Sequence, residues 1–318
     1  MKILFTGASS FTGYWFVREL SAAGYQVTAV FRGVDADAYE GVRAQRVREV
    51  LNCCRAVFDC SFGDAAFDKG IREGGPWDML CHHAADVTNY KSDDFDVAAA
   101  LANNTRNLRQ VLEALQEQQC RRVLLTGSVF EQDEGSGSDG LRAFSPYGLS
   151  KGLTAQVFRY YAQAMGLTLG KFVIPNPFGP LEEPRFTSYL ARSWLSGQSP
   201  EVRTPDYVRD NIHVSLLAKA YVDFAARVAE APAGHFLRIN PSGYPESMGA
   251  FTARFAEQMR PRLSLPCEFQ LPEQQEFAEP LRRINTDVLN AAALGWSEQD
   301  AWDELAEYYV HTFGGGGA

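Results

Sequence analysis

Apolar and polar positions alternate along the first half of this chain in a regular rhythm. Lys2-Ile-Leu-Phe5 is a short apolar run that stops at Thr6-Gly7. Residues 14–23 follow with helical spacing, Phe16, Val17 and Leu20 forming the apolar face, and Gly24 ends that helix. Residues 25–31 read as a second strand and residues 34–49 as a charged helical stretch. Residues 56–60 give a third strand, and residues 77–86 a fourth that runs into a small-residue turn. One long helix is expected over residues 95–116, with Val97, Leu101, Leu108, Leu112 and Leu115 at multiples of three or four. Residues 121–128 form the fifth strand, residues 131–140 an acidic Gly/Ser-rich loop. A helix then starts after Pro146, with Leu149, Leu153, Val157 and Tyr160 as its expected buried face. Short strands alternating with amphipathic helices predict an α/β fold around a parallel sheet.

The second half is less regular. Residues 174–210 are rich in Pro, Gly and aromatics, as an embracing loop would be. Residues 216–229 form an apolar-faced helix, residues 235–240 a strand, and residues 261–270 an extended segment. Ser297-Glu-Gln-Asp300 starts a final helix whose buried stripe is Trp302, Leu305 and Tyr309, and residues 314–318 are a flexible tail. The expected division is a cofactor domain over 1–173, to which 211–240 returns, and a smaller substrate domain over 174–210 and 241–313.

Composition narrows the function. A chain of 318 residues with 46% hydrophobic and 22% charged content is ordinary for a soluble globular enzyme. A net charge of −9 argues against nucleic acid, which needs a basic face, and leaves any anionic substrate to a few placed arginines. No apolar run reaches membrane-spanning length and no leader is visible, so a cytoplasmic protein is expected. The six cysteines (Cys53, Cys54, Cys60, Cys81, Cys120, Cys267) lack metal-ligand spacing and read as reduced thiols. His82 and His83 are adjacent, so on a strand they point to opposite faces and do not chelate one ion; no metal is expected.

Candidate chemistry sits in two places. The first is the turn between the first strand and helix, where Gly7 and Gly13 occupy the outer positions of a dinucleotide-binding glycine loop and Ser10 replaces the middle glycine. Glycines let the backbone approach a pyrophosphate, and the helix N-terminus offers it N–H groups. The second strand ends Val30-Phe31-Arg32-Gly33, with no acid for a ribose 2′-hydroxyl before Asp35. Arg32 suits a 2′-phosphate, which favours NADP over NAD. Ala84 and Ala85 let backbone lie close to a flat cofactor. Asp59 and Asp64 both qualify to contact adenine.

The second place is Tyr147-Gly-Leu-Ser-Lys151, whose spacing sets a phenol and an ammonium one helical turn apart. An ammonium within about 4 Å at an effective dielectric of ~20 gives ~4 kcal/mol, roughly three pKa units, enough to bring a phenol toward working pH. Thr126 and Ser128 end the fifth strand and can meet this pair at the carboxyl edge of the sheet.

In order along the chain stand Thr6-Gly-Ala-Ser-Ser-Phe-Thr-Gly13, Asp78-x-x-x-His82-x-Ala-Ala85, Thr126-Gly-Ser-Val-Phe130, Tyr147-x-x-x-Lys151, Asn176-Pro-Phe-Gly-Pro180, Arg209-Asp-Asn-Ile-His-Val214 and Leu294-Gly-Trp296. This set resembles the extended short-chain dehydrogenase/reductases, the nucleotide-sugar epimerase/dehydratase/reductase family. The resemblance implies a doubly wound parallel Rossmann sheet with a smaller C-terminal α+β substrate domain. It implies that Tyr147 exchanges a proton with the substrate, that Lys151 tunes it and holds the nicotinamide ribose, and that Thr126 hydrogen-bonds the reacting oxygen. Gly7, Ser9, Ser10, Phe11, Thr12, Gly13, Arg32, His82, Ala84 and Ala85, with Tyr147 and Lys151, would line the cofactor. Ser128, Asn176, Arg185 and Arg209 would meet a nucleotide sugar, the arginines its phosphates. A homodimer through the helix of residues 92–116 and the Tyr147 helix is implied as well.

Departures refine this. The family's dehydratases follow the threonine with Asp-Glu, whereas Gly127-Ser128 stands here, so dehydration is not expected. The family's helix-opening asparagine falls near Leu101, with Asn103 and Asn104 close by, and the aromatic that packs on nicotinamide is replaced by Ile174. The expected activity is reduction of a keto group, C4 first, on a nucleotide-activated deoxysugar. An NAD-dependent 4-epimerase, a non-catalytic NADP-binding protein and a reductase of non-sugar ketones are the alternatives.

Overall fold

The computed structural model describes residues 1–276 and 279–314. The tail expected at 314–318 lies, except for Gly314, outside the described residues. In chain order the elements begin with β1 (Lys2–Thr6), α1 (Phe11–Ala22), β2 (Gln26–Val30), α2 (Gly41–Val50), β3 (Arg55–Val57), α3 (Ala65–Gly74) and β4 (Met79–His82). There follow α4 (Val97–Asn104), α5 (Leu108–Glu117), β5 (Arg122–Ser128), β6 (Ser136–Gly137), α6 (Pro146–Ala164), β7 (Thr168–Ile174), β8 (Asn176–Phe178) and α7 (Phe186–Leu195). The chain continues with β9 (Val208–His213), α8 (Val214–Glu230), β10 (Phe236–Ile239), β11 (Pro241–Ser242), β12 (Tyr244–Ser247) and α9 (Met248–Leu263). It closes with β13 (Arg282–Ile284), β14 (Asp287–Val288) and α10 (Glu298–Phe313).

Two compact units result, and the segment 218–240 belongs to the first, starting later than the expected residue 211. The first unit comprises Met1–Glu134, Leu141–Ile174 and Ala218–Asn240. Its seven-stranded sheet runs β10-β7-β5-β4-β1-β2-β3, every pair parallel. Strand order reverses between β1 and β4, and in such sheets the crevice outside the carboxyl ends at that point takes the ligand. Helices cover both faces, as a parallel sheet requires. On one face Leu4, Leu80, Val123, Leu125 and Leu169 pack against Phe67, Leu112, Ala155 and Phe158 of α3, α5 and α6. On the other, Phe16 of α1 stacks on Tyr221 of α8 with ring centroids 4.0 Å apart, and Phe172 of β7 meets both edge-on.

The second unit comprises Gly135–Gly140, Pro175–Leu217 and Pro241–Ala318. A mixed sheet, β12-β9-β13-β6 with β8 on β9, is backed by an apolar cluster that includes Phe178, Trp194, Phe255, Trp302 and Tyr309.

Three expectations are corrected, and one expected loop carries buried charge. The helix expected over 95–116 is two helices, broken at Asn107, which adopts φ 50° and donates from Nδ2 to the Gly63 carbonyl at 2.8 Å. Apolar periodicity continued across this break and hid it. Of the face expected for α6, Leu149 is 40% and Tyr160 67% exposed, while Leu153 and Val157 are half-buried, Val157 packing against the core. Instead Gly148, Ser150, Lys151, Gly152, Thr154, Ala155 and Phe158 are turned inward. A Cβ on Gly148 would lie 2.2 Å from the Phe130 carbonyl, so close approach of α6 to that loop selects small residues. Pro261 lies inside α9, not in an extended segment. The acidic loop over 131–140 buries two of its acids, Glu131 and Glu134, at 0% and 3% exposure.

Candidate active site

The turn after β1 is built for a close backbone approach. Gly7 has φ +86°, and a Cβ there would lie 2.8 Å from the Ala84 amide nitrogen. A Cβ on Gly13 would meet the Gly7 carbonyl oxygen at 2.1 Å. Ser10, in place of a glycine, sits at φ −77° and ψ 165°, ordinary extended backbone that a side chain tolerates. Its Oγ donates to the Gly7 carbonyl at 2.8 Å and accepts from the Gly13 N–H at 3.2 Å, capping α1 ahead of Phe11 and Thr12.

Sequence reasoning missed the cations gathered on this turn. Arg43 of α2 donates to Ser9 Oγ from both Nε (3.1 Å) and Nη2 (2.8 Å), and Arg46, 1% exposed, donates from Nε to the Ser9 carbonyl at 3.1 Å. Their signal was helical spacing on the element facing the turn. Arg32 is exposed at the end of β2. Asp35, the first acid past it, accepts from the Asp37 and Ala38 N–H groups. The open adenine choice also narrows. Asp64 caps α3, its two oxygens accepting from the Ser61 and Phe67 N–H groups at 2.8 Å, whereas Asp59 is exposed at φ 49°. Glycines without room for a Cβ, a helix N-terminus and arginines on Ser9 together fit the pyrophosphate of a dinucleotide.

The end of β4 separates the two histidines. His82 is 1% exposed, packed between Phe62 (4.1 Å) and Phe158 (5.1 Å), with Nδ1 3.0 Å from Thr6 Oγ1. Thr6 Oγ1 also accepts from the His83 and Ala84 N–H groups, fixing the turn that carries Ala84 and Ala85. His82 therefore shapes the site from below. His83 points the other way, toward Ser10, Thr12 and Thr126, whereas the sequence reading set His82, not His83, along the cofactor. Burial, and then the Lys151 ammonium, hold His83 down to about 3.

The two ends of the Tyr147/Lys151 constellation are fixed differently. Lys151, 4% exposed, donates from Nζ to the Thr126 carbonyl at 2.5 Å. Burial pushes it down to about 8, against the pull of the Glu131 carboxylate and with the push of the Lys171 ammonium. The Thr126 hydroxyl was expected to face this pair. It lies instead 3.0 Å from His83 Nδ1, because Thr126 is beside Phe172 in the sheet and shares its α1 face. Tyr147 is half-buried among Tyr90, Phe95 and Phe130, with centroids 5.5, 6.1 and 6.5 Å away. Asn104 accepts the Asp86 N–H at 2.8 Å and donates to Thr154 Oγ1 at 3.3 Å, tying the β4 turn to α6 one turn beyond Lys151.

A buried ionic cluster underlies the β5 end. Lys171 of β7 donates to Glu131 Oε2 at 2.5 Å and Glu134 Oε1 at 2.7 Å. Glu131 Oε1 accepts from the Ser128 N–H at 2.7 Å, and Glu134 Oε2 accepts from Asn240 Nδ2 at 2.8 Å. The Ser128 Oγ accepts from the Phe130 N–H at 3.2 Å. The loop that follows Thr126 is thus held by charge-assisted bonds to the sheet.

In the second unit, Asn176 is half-buried on β8, opposite Asn211 of β9. Arg209 is 2% exposed and stacks on Tyr207 at 3.3 Å. Its guanidinium donates to Glu279 Oε2 at 3.0 Å and to the Val208 and Pro280 carbonyls. Burial, then Arg283, push it down to about 9. Arg185, with Nε 3.8 Å from Glu182, lines a cleft of about 490 Å³ that also holds Tyr189, Arg192 and Ser196. Among the described residues no three of His, Cys, Asp or Glu gather as metal ligands, and no helix is long and apolar enough to cross a membrane.

A family model described as the NAD dependent epimerase/dehydratase family matches residues 3–240. The chain belongs to that family. It is an enzyme of the extended short-chain dehydrogenase/reductase type. Cinnamoyl-CoA reductase 1 from Oryza sativa subsp. japonica is 32% identical over 125 residues, which is 39% of this chain and 33% of the reductase. The fold is also that of a UDP-glucuronic acid 4-epimerase from Bacillus cereus, solved with NAD and UDP-4-deoxy-4-fluoro-glucuronic acid. That pair superposes with TM-score 0.73 at 17% identity, covering 98% of this chain and 99% of the other. A dTDP-glucose 4,6-dehydratase from Streptomyces venezuelae, solved with NAD, gives TM-score 0.71 at 21% identity over 99% of this chain and 98% of the other.

Proposed function

We propose that this family member is an NADP-linked reductase acting at a keto carbon, C4 first, of a nucleotide-activated deoxysugar. The observation that carries the reading is a buried Lys151 ammonium at the end of β5, one helical turn from the half-buried Tyr147 phenol. When bound, the dinucleotide supplies hydride at its nicotinamide. Tyr147 passes its phenolic proton to the reduced oxygen, the Lys151 charge stabilises the phenolate left behind, and a solvent proton restores the phenol before the next turnover. Gly7, Gly13 and the N-terminus of α1 hold the pyrophosphate, and Asp59, not the capping Asp64, meets adenine.

Preference for NADP is supported by Arg32 and by the Arg43 fork on Ser9, with Asp35 committed to its own turn. Specificity for a nucleotide sugar is supported by family membership and by the Arg185/Arg192 cleft. We favour Arg185 over Arg209 for the diphosphate, since the Arg209 guanidinium already meets Glu279. Absence of the Asp-Glu pair after Thr126 speaks against dehydration. The exposed side of α6, with Leu149 and Tyr160, is our candidate for a homodimer contact, and a monomer at sedimentation equilibrium removes it.

A second reading, reduction of a non-sugar carbonyl, is favoured by the partial match to cinnamoyl-CoA reductase 1. The experiment is a turnover screen of UDP-, GDP-, CDP- and dTDP-4-keto sugars and cinnamoyl-CoA with NADPH and NADH. Loss of NADPH absorbance with a keto sugar supports the proposal. Loss with cinnamoyl-CoA alone selects the second reading. A parallel incubation of the corresponding 4-hydroxy nucleotide sugars with NAD tests the epimerase reading: inversion at C4 with no net formation of NADH makes the chain a 4-epimerase.

A further inference from the structure

We propose that His83 is a positioning residue: a neutral imidazole, protonated on Nε2, that spans the dinucleotide turn and Thr126 and accepts the Thr126 hydroxyl in a hydrogen bond at Nδ1. That Thr126 meets the substrate is what the family resemblance implies and rests on the reductase reading; the state of His83 does not.

The assignment follows from counting protons. Ser10 Oγ is 2.8 Å from the Gly7 carbonyl oxygen, which can only accept, so the one serine proton lies there. Ser10 Oγ then has only lone pairs to offer, one to the Gly13 N–H at 3.2 Å and one to His83 Nε2 at 3.0 Å. The Nε2 atom must therefore carry a proton, shared with Thr12 Oγ1 at 3.1 Å. The half-buried His83 ring is flanked by Phe5 and Phe16, with centroids 5.9 and 5.3 Å away, and lies in the field of the Lys151 ammonium. Both features favour the uncharged ring. A neutral ring protonated on Nε2 has a bare Nδ1, and among the described residues the hydrogen-bond partner of Nδ1 is Thr126 Oγ1 at 3.0 Å. Thr126 is thus the donor in that bond.

Two consequences follow. In this state Thr126 Oγ1 has only lone pairs, not a proton, for any second partner, the buried Tyr221 phenol beside it included. To donate to a keto oxygen it must turn away from His83. The same ring also joins Ser10 and Thr12, which cap and begin α1, to the hydroxyl at the end of β5. A change of hydrogen bonding at the turn reaches Thr126 through one rigid ring.

Long-range ¹H–¹⁵N correlation spectra of the ¹⁵N-labelled full chain test this, with His83→Asn used to assign the resonance among the five histidines. The expected result is a neutral His83, protonated on Nε2, throughout pH 5–8. Thr126→Val should displace the Nδ1 resonance toward that of an unbonded nitrogen while Nε2 stays protonated, and Thr126→Ser should keep the wild-type value. Adding NADPH should move the Nε2 resonance. A ring protonated on Nδ1, an imidazolium within that range, or an Nδ1 resonance indifferent to Thr126→Val each overturn the proposal. None of these readings involves turnover, so their failure leaves the reductase assignment standing.

Discussion

Replacing Lys151 with Met should make the protein more stable at neutral pH and inactive. Lys151 is 4% exposed, and burial, only partly offset by Glu131, lowers it from 10.5 to about 8. At 1.36 kcal/mol per unit, that fall is a destabilisation of ~3 kcal/mol by the charged form. The sign follows from linkage. Between pH 8 and 10.5 the unfolded lysine holds its proton and the folded one has released it, so wild-type stability rises with pH there. The destabilisation is full below pH 8 and gone above 10.5. Methionine keeps the length of the stem and removes the charge, but it leaves the Thr126 carbonyl without its donor, at a cost of about 1–2 kcal/mol. The net expectation is a gain of about 1–2 kcal/mol at pH 7 that shrinks as pH rises toward 10. Urea titrations of both proteins at pH 7, 8.5 and 10 measure it. A variant less stable than wild type at pH 7, or a difference flat across that range, would show that the Lys151 charge is not strained.

Other substitutions probe the remaining supports. Lys171→Met should cost about 3–5 kcal/mol in urea unfolding by stranding Glu131 and Glu134, and Glu131→Gln in the same chain should recover part of it; a loss under about 1 kcal/mol contradicts the buried cluster. Gly7→Ala should abolish NADPH binding in a fluorescence titration, since φ +86° adds about 1–2 kcal/mol of strain and the Cβ strikes Ala84; unchanged binding removes the turn from the cofactor site. Arg43→Ala should weaken NADPH at least about tenfold more than NADH, ~1.4 kcal/mol, and equal losses would end the 2′-phosphate assignment.

Much of the fold was legible because its signals are local. The glycine turn, the five leading strands and the Tyr147–Lys151 spacing each occupy a few adjacent residues, and parallel strands read as continuous apolar runs. What stayed hidden was non-local. Glu131 and Lys171 are 40 residues apart, and nothing nearby distinguishes an acid bound for burial from one bound for solvent. The α6 face was partly misread because a helix pressed against the Phe130 carbonyl needs Gly148 there, which turns the adjacent Leu149 outward. Alternation separated His82 from His83 correctly, but it could not say which face held the turn. Arg43 looked like one charge among many on a helix until α2 brought it to Ser9.

The most direct test of the account is Tyr147→Phe, assayed with whichever keto substrate the wild type reduces. Loss of the phenolic proton donor should lower kcat by about 10²–10⁴-fold, with NADPH affinity unchanged. Turnover within a few-fold of wild type would contradict a mechanism built on Tyr147.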